Sequence, residues 1–260
     1  MQPLQSNNRE RVVLVTGARR GIGAALVLAL AEPRRKMIIH IHRETEMVEA
    51  EGVAGDARTK GADAEIMTAD LSSVDATQEL ARSIIEKHGA LDILVNNAAR
   101  SSYVPVDRIT PLEWHATLTV NLTAPFLLAQ AALPSMIERR WGRIINVTSI
   151  TESLGGPSGA AYVSSKGGLV ALTRALAHNV KVDGVTVNAL SPGAILTEQE
   201  HEFVPERDQE QVNVDVIGRQ SLPRRLVPDD LASTIRFLVD EGSNSVTGQV
   251  IEVNGGWLFR

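Results

Sequence analysis

The chain has 260 residues, of which 43% are hydrophobic and 22% charged, which is enough for a large buried core. A net charge of −5 without a long basic run argues against nucleic acid as a partner. The absence of cysteine excludes disulfides and thiolate–metal chemistry, and no metal site is predicted. No apolar run approaches the ~18–20 residues of a membrane span. Residues 1–11 lack the apolar segment of a signal peptide, so a cytoplasmic protein without a membrane span is expected.

The first predicted elements form a candidate phosphate-binding turn. Residues 12–15 are an apolar run typical of a buried strand, and the stretch 16–23 follows it directly with three glycines. An apolar helix is predicted over 24–31. A strand, a glycine-rich turn and a helix in this order place phosphate at a helix N-terminus and let the backbone approach a pyrophosphate. A glycine turn can be only a turn, but at this position it favours dinucleotide binding.

The second predicted strand, 37–41, ends next to the position that indicates the cofactor. An acidic residue about twenty residues past the glycines binds the ribose 2′-hydroxyl of NAD, whereas an arginine there accommodates the 2′-phosphate of NADP. Arg43 occupies that position, and Arg19 and Arg20 add positive charge in the glycine loop. Glu44 follows, and these arginines also fit a solvated surface. We predict NADP(H) in preference to NAD(H).

Strands and helices alternate through the rest of the chain. Further strands are predicted over 64–68, 91–95, 144–147, 185–190 and 249–253, and helices over 74–87, 111–139, about 160–176 and 229–239. This alternation predicts an α/β fold: a single-domain Rossmann fold over 1–260, with a doubly wound seven-stranded parallel sheet and helices on both faces. Ligands of such sheets bind at the carboxyl ends of the strands. Polar motifs follow several of these strands, which predicts one shared site.

Residues 194–227 differ in composition from the rest of the chain. They are rich in Glu, Gln, Asp and Arg and contain few apolar residues. A segment this long after the carboxyl end of a strand is usually functional or mobile, and a lid over the substrate is predicted. The arginines in and beside it fit either an acidic carrier protein, a phosphorylated substrate or, more commonly, solvated surface: Arg207, Arg219, Arg224 and Arg225.

Three residues form a candidate proton-transfer site. Ser149 follows the strand 144–147, and Tyr162 and Lys166 are four positions apart on the predicted helix, so they share one face. A free phenol has a pKa of about 10, a poor match for proton transfer near neutrality, and a nearby ammonium lowers that pKa. Ser149 is placed to hydrogen-bond a carbonyl or alcohol oxygen. The same spacing fits a half-buried tyrosine beside a solvated lysine. Asn121, inside an apolar run, is either a satisfied core amide or part of the site.

Taken together, these motifs resemble the short-chain dehydrogenase/reductase family, and the overall pattern is closest to its 3-oxoacyl-carrier-protein reductase branch. The resemblance extends from Val12 to about Trp257. The residues that carry it are the glycine loop, Asp70, Asn96-Asn97-Ala98, Asn121, Ser149, Tyr162-x-x-x-Lys166 and Pro192-Gly193. Ala99 departs from the family, which usually has glycine there.

The resemblance implies a nicotinamide cofactor and a catalytic tetrad. Tyr162 would be the acid in carbonyl reduction and the base in alcohol oxidation, and Ser149 would orient the substrate oxygen. Lys166 would lower the pKa of the tyrosine and hold the nicotinamide ribose, and Asn121 would anchor a water that relays protons to it. The expected cofactor-binding residues are Gly17, Arg19, Arg20, Gly21, Ile22, Gly23, Arg43, Asp70, Leu71, Asn97, Ala98, Tyr162, Lys166, Pro192, Gly193, Ile195 and Thr197.

The predicted function is an NADPH-dependent carbonyl reductase of the 3-oxoacyl type. Its substrate would be a small carbonyl or alcohol compound, or an acyl chain linked to a carrier. The alternatives are a sugar, polyol or other secondary-alcohol dehydrogenase of the same family and, outside enzymes, a non-catalytic NADP-binding sensor. A damaged tetrad would favour the sensor, and all four members are present. The resemblance also implies a homotetramer.

Overall fold

The computed structural model describes residues 9–101, 103–156 and 158–259, so residues 1–8 and the last residue of the predicted 1–260 domain lie outside the description. The strands are β1 (Arg11–Val15), β2 (Arg35–Ile41), β3 (Asp63–Thr68), β4 (Ile93–Asn96), β5 (Gly142–Val147), β6 (Val185–Pro192) and β7 (Val250–Val253). They form one seven-stranded sheet in the order β3-β2-β1-β4-β5-β6-β7. Every neighbouring pair is parallel.

Helices connect the strands and cover both faces of the sheet. They are α1 (Gly21–Leu30), α2 (Met47–Thr59), α3 (Val74–His88), α4 (Pro111–Leu118), α5 (Ala124–Arg139), α6 (Thr151–Leu154), α7 (Ala160–Val180), α8 (Glu198–Phe203), α9 (Glu206–Gly218) and α10 (Ala232–Val239). The predicted fold class, a doubly wound parallel Rossmann fold, is confirmed.

The continuous apolar run of β1 follows from burial on both faces. Val13 and Val15 pack into the layer that contains Leu26 of α1. Leu14 points to the other layer, which contains Leu128 of α5. Successive side chains of a strand alternate between faces, so a strand covered by helices on both sides is apolar throughout.

The structure adds helices that the sequence pattern did not predict. The buried stripe of α2 consists of Ala50, Val53, Ala54 and Ala57, and two glycines within it lower its helix propensity. This stripe of small residues gives a weak amphipathic signal. The predicted lid, 194–227, contains α8 and α9. The predicted helix 111–139 is interrupted by a π-helical turn, Thr119–Thr123, of the kind that is frequent at functional sites.

One expectation about membranes needs correction. Within the described residues, Pro111–Arg139 is long and apolar enough to cross a membrane by length and composition, with a mean hydropathy of 1.4 over its most apolar window. This is weak evidence, because the core helix of a water-exposed domain passes the same test. Here α5 packs against α3, β4 and β5. Leu128, Ala129 and Ala132 are fully buried there, which fits a core helix.

The strand order places a crevice at one edge of the sheet. β1 lies between β2 and β4, so the connections that leave β1 and β4 run to opposite sides of the sheet. Such a topological switch point opens a crevice between helices at the carboxyl ends of the strands. The polar motifs that follow β1, β4, β5 and β6 therefore meet at the same edge.

Candidate active site

A cleft of about 980 Å³ lies at the carboxyl ends of the strands. The Ser149, Tyr162 and Lys166 side chains all reach it. Every cofactor-binding residue expected from the sequence also lines it: Gly17, Arg19, Arg20, Gly21, Ile22, Gly23, Arg43, Asp70, Leu71, Asn97, Ala98, Tyr162, Lys166, Pro192, Gly193, Ile195 and Thr197. Asn121 lies behind the wall of the cleft.

The glycine loop is packed closely against the end of β4. Gly17 has φ 62°, and a Cβ on it would lie 2.9 Å from the Cα of Ala98. A Cβ on Gly23 would lie 2.2 Å from the Gly17 carbonyl oxygen. The Asn97 Nδ2 donates to the Thr16 and Gly17 carbonyl oxygens, both at 2.9 Å. Asn97 therefore holds the loop, and the two glycines are required by the close approach of the backbone.

The N-terminus of α1 faces the cleft in a form that suits an anion. In the described part of the chain, no side chain caps this helix and its first turn contains no acidic residue. The first backbone N–H groups of a helix have no partner within the helix, and the helix dipole favours negative charge there. These features fit the pyrophosphate of a dinucleotide.

The arginines predicted for the cofactor differ in their surroundings. Arg19 forms ion pairs with Glu46 and Glu49, and Arg20 pairs with Glu202 of α8. Arg43 is exposed at the rim of the cleft. In this state the charge of the glycine-loop arginines is neutralised within the chain, whereas Arg43 points at the rim where a nucleotide would enter.

Asp70 follows β3 and is held in its charged form. The Ser72 hydroxyl and backbone N–H both donate to its Oδ1, at 2.7 and 2.9 Å. These bonds, with smaller contributions from His42 and Arg43, lower the pKa of the Asp70 carboxyl. The group is therefore a fixed hydrogen-bond acceptor at the nucleotide end of the cleft.

Tyr162 and Lys166 lie on one face of α7, as their spacing predicts. The Lys166 Nζ donates to the Val147 carbonyl oxygen at 2.7 Å and lies 5.6 Å from the centroid of the Tyr162 ring. Lys166 is 2% exposed, and burial lowers the pKa of its ammonium to about 8. It is a buried lysine, not the solvated one that the alternative interpretation required.

The expected effect of Lys166 on Tyr162 is not seen in this state. Burial raises the pKa of Tyr162 to about 12, while a hydrogen bond with Ser149 acts in the opposite direction. The expectation of a phenol pKa below its usual value is therefore wrong here. Desolvation disfavours the charged form of both groups, and the lysine donates to a backbone carbonyl.

Ser149 is oriented by a neighbour that the sequence did not single out. The Thr151 hydroxyl donates to the Ser149 Oγ at 3.0 Å, and the Thr151 backbone N–H approaches it at 3.3 Å. Ser149 thus accepts from Thr151 on one side, and its hydroxyl also makes the hydrogen bond with Tyr162. A second hydroxyl two positions after the serine was the sequence signal for this contact.

Asn121 sits in the π-helical turn and is 1% exposed. Its Oδ1 accepts from the Arg100 backbone N–H at 2.7 Å, and its Nδ2 donates to the Arg100 carbonyl at 3.1 Å and to the Ser165 Oγ at 2.9 Å. The side chain is satisfied and fixes the segment after β4 next to the residue that precedes Lys166. Its role in a water relay stays a prediction.

The arginines in and beside the predicted lid all have contacts within the chain. Arg225 forms a bidentate ion pair with Glu200 of α8 and donates a further hydrogen bond to Asn213 of α9. Arg224 pairs with Asp230. The other two contact Trp257 and Asp208: Arg219 by a cation–π contact and Arg207 by a 3.7 Å ion pair. The Arg225 contacts connect α8 to α9, whereas Arg207 and Arg224 are exposed on the surface.

The lining of the cleft is mixed, with apolar side chains beside polar ones such as Arg100, Ser101, Ser158 and Gln199. The apolar and aromatic side chains that line it outside the glycine loop include Tyr103, Leu154, Val204, Val212, Val216 and Trp257. Trp257 was not predicted as a site residue. Its backbone N–H donates to the Asn254 Oδ1 at 3.1 Å, and the adjoining Gly256 N–H donates to the same oxygen at 2.9 Å. The glycine pair before this tryptophan, with φ 67° and 77°, was the available sequence signal.

Comparison with known proteins places the chain in a family. The family model described as short chain dehydrogenase matches residues 11–208. The 3-oxoacyl-[acyl-carrier-protein] reductase FabG of Staphylococcus aureus is 33% identical over 243 residues, which cover 94% of this chain and 96% of that protein. A Rhizobium meliloti protein named probable galactose dehydrogenase GalD is 36% identical over 250 residues, 95% of each chain.

A solved structure agrees with these relatives. The crystal structure of a 3-oxoacyl (acyl-carrier-protein) reductase from Agrobacterium tumefaciens C58 with NADP bound has a TM-score of 0.88 and 29% identity, covering 95% of this chain and 94% of that one. The chain belongs to the short-chain dehydrogenase/reductase family and is an oxidoreductase. Within the family it is similar to the 3-oxoacyl reductase branch, and the resemblance drawn from its motifs is confirmed.

Proposed function

We propose that this protein is an NADP(H)-dependent oxidoreductase that reduces a ketone to a secondary alcohol through Ser149, Tyr162, Lys166 and Asn121. The observation that carries the proposal is the meeting of Ser149, Tyr162 and Lys166 in one cleft with the uncapped N-terminus of α1. The first three supply proton chemistry, and the helix end suits a dinucleotide.

The cofactor is assigned from the nucleotide end of the cleft. The N–H groups at the start of α1 suit the pyrophosphate, and Arg43 suits the 2′-phosphate that distinguishes NADP from NAD. Lys166 is the candidate partner for the nicotinamide ribose, as the family resemblance implies. A related reductase of known structure has NADP bound. When bound, NADPH supplies the hydride, and the protein supplies orientation and protons.

Tyr162 is the candidate general acid for the reductive direction. With a pKa of about 12, the phenol keeps its proton near neutral pH and is available as a general acid. Ser149, oriented by Thr151, is placed to donate to the substrate oxygen and hold it beside the phenol. Alcohol oxidation needs the phenolate, which burial disfavours.

The walls of the cleft favour an apolar substrate. Val204, Val212 and Val216 of the lid face the cleft together with Leu154 and Trp257. A sugar exposes hydroxyl groups that need hydrogen-bond partners when they lose water, whereas these five side chains offer mainly apolar surface. A 3-oxoacyl chain or another ketone with an apolar body fits better. Sugar oxidation is the second candidate, supported by the 36% identity to the Rhizobium meliloti protein.

The segment 194–227 is proposed to be the lid that completes the substrate site. Two of the apolar wall residues, Val212 and Val216, lie in α9, and Val204 lies between α8 and α9. Arg225 ties the two helices to each other through Glu200 and Asn213. A lid built in this way moves as a unit when substrate enters.

The deciding experiment measures the loss of NADPH absorbance with a homologous series of 3-oxoacyl thioesters, simple ketones and keto-sugars. Burial of a methylene is worth about 0.8 kcal/mol, so kcat/KM should rise up to about fourfold per methylene until the apolar walls are covered. A preference for the keto-sugars, or for aldoses with NADP⁺, would transfer the assignment to sugar oxidation.

Tyr162→Phe tests the proton-transfer step on whichever substrate proves active. The ring and its packing remain, but the transferable proton is lost, so kcat should fall by about 10²–10⁴-fold with NADPH affinity kept. Tyr103→Phe is the matched control, because Tyr103 is the other of the two tyrosines in the sequence and also lines the cleft. Near-normal turnover in the Tyr162 variant would contradict the mechanism.

A further inference from the structure

A buried histidine joins the two loops at the nucleotide end of the cleft. His40 lies near the end of β2 and is 1% exposed. Its Nδ1 accepts a hydrogen bond from the Gly17 N–H at 3.1 Å, and its Nε2 lies 3.0 Å from the Ala69 carbonyl oxygen. Because a carbonyl oxygen can only accept, the ring must carry its proton on Nε2 and be neutral.

The first of these bonds provides an acceptor for the Gly17 N–H, which has no hydrogen-bond partner within the sheet. The N–H groups on either side of Gly17 donate to backbone carbonyls, Thr16 to Val95 and Ala18 to His40. Gly17 itself, with φ 62°, turns its N–H toward the imidazole. A backbone donor turned inward needs an acceptor, and the histidine ring is that acceptor.

The second bond reaches the loop after β3. Ala69 directly precedes Asp70 and Leu71, which line the cleft. The ring therefore spans from the glycine loop to this loop. Burial lowers the pKa of His40 to about 4, so the ring stays neutral near neutral pH and keeps both bonds.

We propose that His40 is a positioning residue for the nucleotide. It sets the distance between the glycine loop and the 69–71 loop, and thereby the shape of the surface that takes the adenosine half of NADP(H). It acts through Gly17 and Ala69, away from the hydride and the substrate. This role rests on the proposed cofactor. An apolar ring of similar size fills the same space but makes neither bond.

Three variants separate the two bonds. His40→Phe removes both, His40→Asn keeps an acceptor near the Nδ1 position for Gly17, and His40→Gln keeps a donor near the Nε2 position for Ala69. Leaving a buried donor unpaired weakens the loop, so NADPH affinity in His40→Phe should fall by about 10-fold or more. His40→Asn should keep most of the wild-type NADPH affinity, and His40→Gln should keep less. At saturating NADPH, kcat should stay within about twofold of the wild type.

NADPH binding is measured by fluorescence titration, which needs no substrate. Wild-type protein that does not bind NADPH would overturn the cofactor assignment and this role with it. Given binding, unchanged affinity in His40→Phe would overturn the role of His40 alone. If the Phe variant does not fold, the comparison passes to the other two: tighter binding by Asn than by Gln supports the proposal, and equal binding overturns it.

Reduced nicotinamide mononucleotide, which lacks the adenosine half, separates positioning from general damage. A positioning role predicts equal kcat/KM for this truncated cofactor in wild type and variants, while kcat/KM for NADPH falls. An equal loss with both cofactors would show a disturbed fold and overturn the proposal.

Discussion

At the scale of single residues, burial dominates the electrostatics of the site. Lys166 is buried and donates to the Val147 carbonyl oxygen. Burial raises the pKa of Tyr162 although its hydrogen bond with Ser149 acts to lower it. Desolvation disfavours the ammonium and the phenolate alike. The consequence is a site that holds a neutral, protonated acid near neutral pH, as carbonyl reduction requires.

The buried lysine should leave a signature in stability against pH. Burial lowers the pKa of Lys166 from its ordinary value to about 8, so between about pH 8 and 10.5 the unfolded chain binds more protons than the folded one. Stability from this group therefore rises with pH across that window, by about 3 kcal/mol at most. Thermal melting of the wild type and of Lys166→Met from pH 7 to 10 should show the wild type gaining relative to the variant. A constant difference would mean that the lysine is solvated.

Arg43 should decide the choice of nucleotide. Arg43→Asp replaces a partner for the 2′-phosphate with one for the 2′-hydroxyl, so NADPH binding should weaken and NADH binding improve relative to it. Titration of each nucleotide gives the ratio. Arg34→Asp is the matched control, because Arg34 is an exposed arginine outside the cleft. Wild-type preference for NADH would contradict the assignment.

At the scale of elements, helix α8 of the proposed lid contacts the glycine loop directly. Arg20 of the loop pairs with Glu202 of α8, and a Cβ on Gly21 would lie 3.6 Å from the Thr197 and Glu198 side chains. The glycine loop and the proposed lid therefore share a contact. If Arg20 is to meet a cofactor phosphate, it must leave Glu202, so the glutamate competes with the cofactor.

Glu202→Gln should remove this competition. The pair is exposed and screened by solvent, so NADPH should bind at most about fivefold more tightly to the variant. Glu206→Gln, an exposed glutamate of α9 outside the cleft, should leave the affinity unchanged. Fluorescence titration of both variants gives the comparison. Weaker binding by Glu202→Gln would instead mean that the pair supports the bound state of the lid.

At the scale of the whole molecule, the helical stretch 111–139 leaves apolar side chains on the surface. Leu112, Phe126 and Ile137 are 80%, 39% and 38% exposed. Exposed apolar side chains that cluster on one surface are a mark of interaction sites, and closed symmetric homo-oligomers are the common outcome. The homotetramer implied by the family resemblance would cover such a surface.

The assembly is testable in solution. Light scattering of the wild type should give the mass of a tetramer, and Phe126→Glu should reduce it by placing a charge in a buried contact. Val48→Glu is the control, because Val48 is an 85% exposed apolar residue of α2. A wild-type monomer at micromolar concentration would contradict the prediction.

Much of the fold was predictable because its signals are local. Apolar runs such as Val12–Val15 are dictated by burial on both faces of the sheet, and the alternation of strands with helices leaves few topologies. The helix α2 was not predictable in the same way, since its buried face consists mainly of alanines and two glycines lower its helix propensity. The π turn at Asn121 was equally hidden, because it changes hydrogen bonding without changing the apolar pattern.

The amino-acid sequence by itself determined the family, the glycine loop and the spacing of Tyr162 and Lys166, because these depend on residue type and short-range position. Only the tertiary structure decided the direction of the Tyr162 pKa and the partners of Arg19 and Arg20. Desolvation and ion pairing depend on which distant segments enclose a group. The bond between His40 and Gly17 arises in the same way, since it joins β2 to the turn after β1, which come together only on folding.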